Sequence, residues 1–254
     1  MSREKLVLDV ILETSAGILS LMPAAGVFVG PVKAVVSDYA TRQLSKREEF
    51  RVGEVAKYCI SKIKEKCDAG EALRDDDFFF ANNENYRSKA EEIFEGVLTK
   101  CKNEHEELKS LYIGNIFVNA SFYKRSLGEV NHVLKLADNM TYRQICLVAL
   151  FFNNKPKLYN LRNTEKEYYA SEEVSILQEI YDLTRMGILQ KEVKKERGIT
   201  VDELNNMQLE KAIGWDEVIP NKLALSALGM DCYRLMGIED VTEHDLEKLV
   251  NYLK

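Results

Sequence analysis

At 254 residues, with 46% hydrophobic and 30% charged side chains, the chain is long enough to bury a sizeable core in one large domain or two modest ones. Its 35 basic and 41 acidic residues leave a net charge of −6, which argues against nucleic acid as a partner, because phosphate binding needs a cationic surface. Only four prolines and thirteen glycines punctuate apolar residues that recur at helical spacing, so a mainly α fold is expected. The five cysteines (Cys59, Cys67, Cys101, Cys146, Cys232) include no CxxC pair, and Asp9 and Glu13 would fall inside the apolar core of any leader peptide. Free thiols in a reducing cytosol follow, with the sequons at Asn119 and Asn139 unused.

The opening stretch TSAGILSLMPAAGVFVGPV (14–32) carries no charge. Its length approaches the roughly 20 apolar residues of a membrane span. Pro23 and Pro31, with Gly17, Gly26 and Gly30, break the pattern of one continuous helix. Two helices fit better, as an apolar hairpin over 6–44. The first, Lys5 to Met22, places Asp9, Glu13, Gly17 and Ser20 on one narrow stripe. The second runs to about Leu44, with Lys33, Ser37 and Thr41 on its polar side and Val32, Val35, Val36 and Tyr39 on its apolar side. GVFVG (26–30) is a small-xxx-small pattern that lets helices approach closely, in lipid or in a soluble core. A permanent span would hold Asp9 and Glu13 in hydrocarbon at a cost, which favours a hairpin buried in the protein. A sharper reading has the hairpin released to a bilayer on a trigger, with Leu12, Ile18, Leu19, Leu21, Val27, Phe28 and Val29 as its membrane or partner surface.

Next comes a charged amphipathic helix (45–67) that carries Phe50, Val55, Tyr58, Cys59 and Ile63. DAGEALRDDDFFFANN then interrupts the pattern, with Asp75, Asp76 and Asp77 as caps or solvated groups and Phe78, Phe79 and Phe80 as core anchors. The twelve-residue ligand spacing of a calcium loop is missing. One or two helices are expected over 86–122, with Ile93, Phe94, Val97 and Leu98 inward, then Leu108, Leu111, Tyr112 and Ile116. Cys101 and His105 stand one helical turn apart beside Glu104, but without a second ligand pair no metal is expected. LADNMTYRQ reads as a helix stop and a new start, Thr141 heading a helix with Ile145, Cys146, Ala149 and Leu150 inward. A domain boundary is placed near Asp138, giving a helical domain over 1–137 and a second domain over 138–254.

In the second domain, SEEVSILQEIYDLTRMGIL predicts a helix ended by Gly187, followed by an excursion through Trp215. A short strand follows at Lys222 to Leu225, then a helix capped by Ser226. That order is the order of a winged-helix module. VTEHDLEKLVNYL closes the chain as a helix, with a capping box from Thr242 to Asp245. The helix that would read DNA carries Glu172, Glu173, Glu179 and Asp182 against Arg185, the wrong charge for a major groove. Lys191, Lys194, Lys195 and Arg197 could line a wing on phosphates, although Glu192 and Glu196 interleave with them. The favoured use of this module is therefore packing or protein contact, with a DNA-binding regulator as the alternative.

No GxSxG, HExxH, Walker loop or GxGxxG occurs, and His105, His132 and His244 lie apart in sequence. Glu91–Glu92 and Glu106–Glu107 fall on helix surface, where solvation suits acid–base chemistry poorly. A non-enzymatic protein without cofactor is expected. The segments LSLMPAAGVFVGPVKAVVSDY, KREEFRVGEVAKY, LYIGNIFVNA, LKLADNMTYRQICLVALF, IYDLTRMGIL and LALSALGMDCYRLMG cover about half the chain. In these it resembles bacterial helical proteins of the Abi-alpha (abortive-infection) type, found near phage-defence genes. The resemblance implies an α-helical body with a C-terminal winged-helix-like part and a role in defence or stress, and it carries no catalytic residues. A protein partner or self-association, and a cytoplasmic location that extends to the inner face of the membrane, are the matching expectations.

Overall fold

The computed structural model describes residues 25–80, 87–154, 157–192 and 214–254. The protein is mainly helical with one small two-stranded antiparallel sheet. Among the described residues the helices are α1 (Ala25–Thr41), α2 (Lys46–Asp68), α3 (Lys89–Asn103), α4 (Glu107–Ala120), α5 (Leu127–Asn139), α6 (Tyr142–Asn153), α7 (Ser171–Arg185), α8 (Ala227–Met236) and α9 (Glu243–Leu253). Strands β1 (Leu189–Lys191) and β2 (Leu223–Leu225) make the sheet. The chain divides into two compact units, one reaching Tyr142 and also taking in Arg234–Gly237, the other made of Arg143–Tyr233 and Ile238–Lys254. Asp138, where a boundary was expected, lies inside α5 and accepts a hydrogen bond from Lys100 at 2.6 Å.

The first unit is organised around α4, which is buried at every position from Tyr112 to Ala120. Its uncharged run LYIGNIFVNA explains this, since there is no side on which a charge would have to reach water. Helices α2, α3 and α5 pack against it. Gly114 permits the close approach of α2: a Cβ there would sit 3.2 Å from Cys59 Sγ and 3.4 Å from Val55. Capping boxes begin α2, α3 and α5 at Ser45, Ser88 and Ser126, each with a glutamate three residues on.

The two asparagines of α4 resolve their own burial. Asn115 donates to the Met236 carbonyl at 3.0 Å, and Asn119 to the carbonyls of Arg234 and Leu235 at 3.0 and 3.1 Å. These are carbonyls of a last helical turn, which has no intrahelical donors left for them. Tyr58 closes the network by donating to Asn115 Oδ1 at 2.8 Å. Gly237 follows with φ +60°, and a Cβ there would lie 2.6 Å from Asn115 Nδ2.

In the second unit, α7 leads into β1, and β2 returns antiparallel with Leu189 opposite Leu225 and Lys191 opposite Leu223. Ser226 Oγ then accepts from the Gly229 amide at 3.0 Å and starts α8. Arg162, 9% exposed, ties the irregular segments together. Its amide donates to Leu253 O at 2.8 Å, and its guanidinium donates to Val218 O at 3.2 Å, to Tyr169 Oη at 3.2 Å and to Thr164 O. Tyr169 in turn meets the Trp215 ring edge-on at 5.9 Å.

The inward placements expected of Phe80 and Leu108 are reversed, and Phe50 of the amphipathic helix is exposed as well. Phe50, Phe80 and Leu108 are 59, 56 and 54% exposed. Phe50 is the fifth residue of α2 and Leu108 the second of α4, and each lies on the outer side of its helix. The second helix of the expected hairpin stops at Thr41 rather than Leu44, while the first lies outside the described residues. The stretch 86–122 is two helices, parted at Glu104–Glu106.

Candidate functional site

Helix α1 is the described part of the apolar segment that the sequence singles out. Phe28, Val32, Val35, Val36 and Tyr39 repeat at helical spacing, and all are at most 5% exposed. Lys33, Ala34 and Asp38 face out. This face packs on α3 and on the 3-10 turn Asp77–Phe79.

Local propensity does not explain the helix. Pro31 lies inside it and removes an amide hydrogen bond, Gly30 adds backbone entropy, and four valines besides Val27 are stiff at χ1. Docking therefore supplies what propensity withholds. Phe28, fully buried, stacks on Phe117 at 5.8 Å and meets Phe79 edge-on at 6.0 Å, while Phe117 stacks on Phe94 at 4.5 Å. Burial of that ring contributes about 2–3 kcal/mol, with each aromatic pair adding about 1 kcal/mol.

The far end of α1 is polar. Tyr39 Oη and Thr99 Oγ1 are hydrogen-bonded at 2.6 Å, and the guanidinium of Arg42 lies 4.2 Å from the centre of the Tyr39 ring. Burial raises the Tyr39 phenol above its ordinary pKa despite the Thr99 hydrogen bond. Arg42, just past the end of α1, binds Glu95 of α3 and Asp38 of α1, each at 2.6 Å, and Glu95 also accepts from Arg87. The Glu95 hydrogen bond is the main reason that Arg42 holds its proton more tightly than usual.

Of the proposed contact surface, Phe28 thus faces the protein interior, Val27 is 38% exposed and Val29 is half-buried. Leu12, Ile18, Leu19 and Leu21 lie outside the described residues. Among the described residues no helix is long and apolar enough to cross a membrane. On the basic run, Lys191 is exposed in β1, and Lys194, Lys195 and Arg197 lie outside the described residues. Three of the four acids of α7 are engaged: Arg143 reaches Glu179 and Glu172 at 2.6 Å each, and Lys166 pairs with Glu173.

Sequence reasoning missed the buried charges. Glu104 and Lys109, with side chains 7 and 5% exposed, form an ion pair at 2.6 Å, and Lys109 also donates to Asp138 O at 2.9 Å. Burial pushes the Glu104 carboxyl up, but hydrogen bonds from the Glu106 amide, Lys109 and the His105 amide outweigh it and leave the pKa below the ordinary value. Arg74, 8% exposed, is bound by Asp76 and by the carbonyls of Ala120, Tyr123 and Arg125. A lone charge in a mixed stretch gives no sequence signal for this. Asn115 and Asn119 did leave one, being polar residues one turn apart inside an uncharged run.

Cys101 and His105 do not converge. Cys101 is buried in α3 and donates to Ser110 O at 3.6 Å, whereas the His105 side chain is 89% exposed beyond the helix end. The potential donors Glu104, His105 and Glu106 do lie within 4.8 Å of one another. Both carboxylates, however, are already occupied: Glu104 by Lys109 and two amides, Glu106 by the Tyr142 amide at 3.1 Å. Burial raises the Cys101 and Cys232 thiols to about 12, so neither is poised as a nucleophile. Among the described residues, the one buried side-chain polar atom without a partner is Ser110 Oγ. Comparison with family models, with curated proteins and with solved structures gives no match.

Proposed function

We propose that this is a non-enzymatic helical protein of the abortive-infection or stress-response kind. It acts through contacts of its N-terminal apolar segment, in the cytoplasm and, once triggered, at the inner face of the membrane. The observation that carries the reading is α1, a helix of poor intrinsic propensity held on the protein by one apolar face and a polar end. Undocked in water, such a segment loses both its helix and its burial, so a new apolar surface is its natural destination.

The engagement of buried Glu104, Lys109, Arg74 and Arg162 by the chain itself supports a structural rather than catalytic use of these groups. The helix–strand–strand–helix order from α7 to α8 supports a winged-helix-like module. The acidic face of α7 suits that module to protein contact better than to phosphate.

The test is dye release from vesicles of phosphatidylethanolamine and phosphatidylglycerol, with the purified protein at low and high ionic strength. Release is expected under at least one of these conditions, and Gly26→Asp should suppress it, since an acidic residue at mid-bilayer costs about 3 kcal/mol. Absence of release throughout would remove the membrane reading.

A further inference from the structure

We infer that Glu95 is a charge latch that keeps α1 docked, and that screening or a competing charge opens it. The inference rests on the reading of α1 as the acting element and concerns how that element is controlled. Phe28 secures the N-terminal half of α1 through aromatic contacts that salt hardly touches. At the other end, Arg42–Glu95 and Tyr39–Thr99 cross directly from α1 to α3.

Glu95 is shared by two cations, both of which precede it in the chain. Arg42 follows α1 and Arg87 precedes α3, and both bind the one carboxylate, whose side chain is 23% exposed. Asp38 shares Arg42, so a released Arg42 keeps an anionic partner in the last turn of α1. That sharing lowers the cost of opening and makes the latch reversible. Charges this accessible are screened within about 10 Å at 0.1 M salt, so ionic strength acts on the latch and spares the Phe28 end.

Hydrogen exchange measured by mass spectrometry on the whole protein tests this. At low ionic strength Glu95→Gln should speed exchange in peptides from 25–41 by roughly threefold to tenfold, the range expected of one accessible ion-pair network. Peptides from α4 should be unchanged. Glu95→Lys, which faces Arg42 and Arg87 with a third cation, should go further in the same direction. Salt at about 0.5 M should speed the wild type and leave Glu95→Gln nearly unaffected. Unchanged exchange at 25–41 in both variants overturns the latch, as does an equal rise across α4, which would mean general destabilisation. Dye release by the same variants separates the two ideas: faster exchange without release retains the latch and removes the membrane role.

Discussion

Two helices that contain uncharged runs, 25–32 in α1 and 111–120 in α4, end in opposite situations. The run Leu111–Ala120 in α4 is buried almost all round, whereas α1 buries one side and shows Val27, Gly30, Lys33 and Ala34 to solvent. Both hold aromatic residues that meet in one cluster, Phe28 from α1 and Phe117 from α4. The difference lies in what surrounds each ring. Phe117 has Phe94 and Phe28 on its two stacking contacts and belongs to the helix on which α2, α3 and α5 converge. Phe28 belongs to a helix placed against α3 and one short turn. An absence of charge thus reports that a segment avoids water, and says nothing about how many neighbours it has.

If α4 is the part on which the unit depends, Phe117→Ala should be the most damaging change, with a loss of about 3–5 kcal/mol read as a fall in denaturant midpoint. Glu104→Gln comes next, at about 3 kcal/mol, because Lys109 at the start of α4 would keep a buried charge without its counter-ion. The same pair sets an acid limit. Glu104 has a folded pKa below its unfolded value near 4.3, so its contribution is complete above about pH 4.3 and disappears as pH falls through the folded pKa. Midpoints taken from pH 6 down to pH 2 should show that loss in the wild type, and a shallower one in Glu104→Gln. Equal acid slopes would mean that the pair does not hold α4.

Gly237→Ala should cost about 2 kcal/mol. The alanine would carry φ +60° and press its Cβ onto Asn115 Nδ2, which disturbs the asparagine that caps Met236. Asn115→Ala in the same background should add little, because the two changes damage one contact, and the double-mutant comparison reads that directly. Full additivity would show that Asn115 is not what the added methyl group meets.

Much of the helical layout is legible in periodicity and caps. Val32, Val35, Val36 and Tyr39 lie on the buried side as their spacing requires, Ser226 starts α8, and Thr242 Oγ1 caps α9 by accepting from the Asp245 amide at 3.3 Å. Each of these is a property of neighbours within a turn or two of chain. The misses have the opposite character. Phe50, Phe80 and Leu108 are as apolar as the core residues but are more than half exposed. Arg74 and Arg162 look like surface charges, yet their guanidinium partners are carbonyls up to 51 and 56 residues away along the chain, at Arg125 and Val218. The latch at Glu95 was equally hidden, since Arg42 and Arg87 are separated by two intervening elements. Contacts of that kind depend on how the helices pack, and one sequence carries no record of it.

The smallest global effect is expected for Phe28→Ala, and it is the change that sharpens the contrast most. The ring has the same chemistry and nearly the same burial as Phe117, so transfer free energy alone would assign the two substitutions similar costs. On the proposed reading, α1 has an alternative that α4 lacks: it can leave. The loss registered by the rest of the unit then cannot exceed the free energy with which α1 docks, and falls below that of Phe117→Ala. The denaturant midpoint should move little, while exchange at 25–41 approaches that of an open chain and α4 stays protected. A midpoint shift matching that of Phe117→Ala would make α1 an integral part of the core, and a segment whose removal unfolds the unit could not serve as a detachable one.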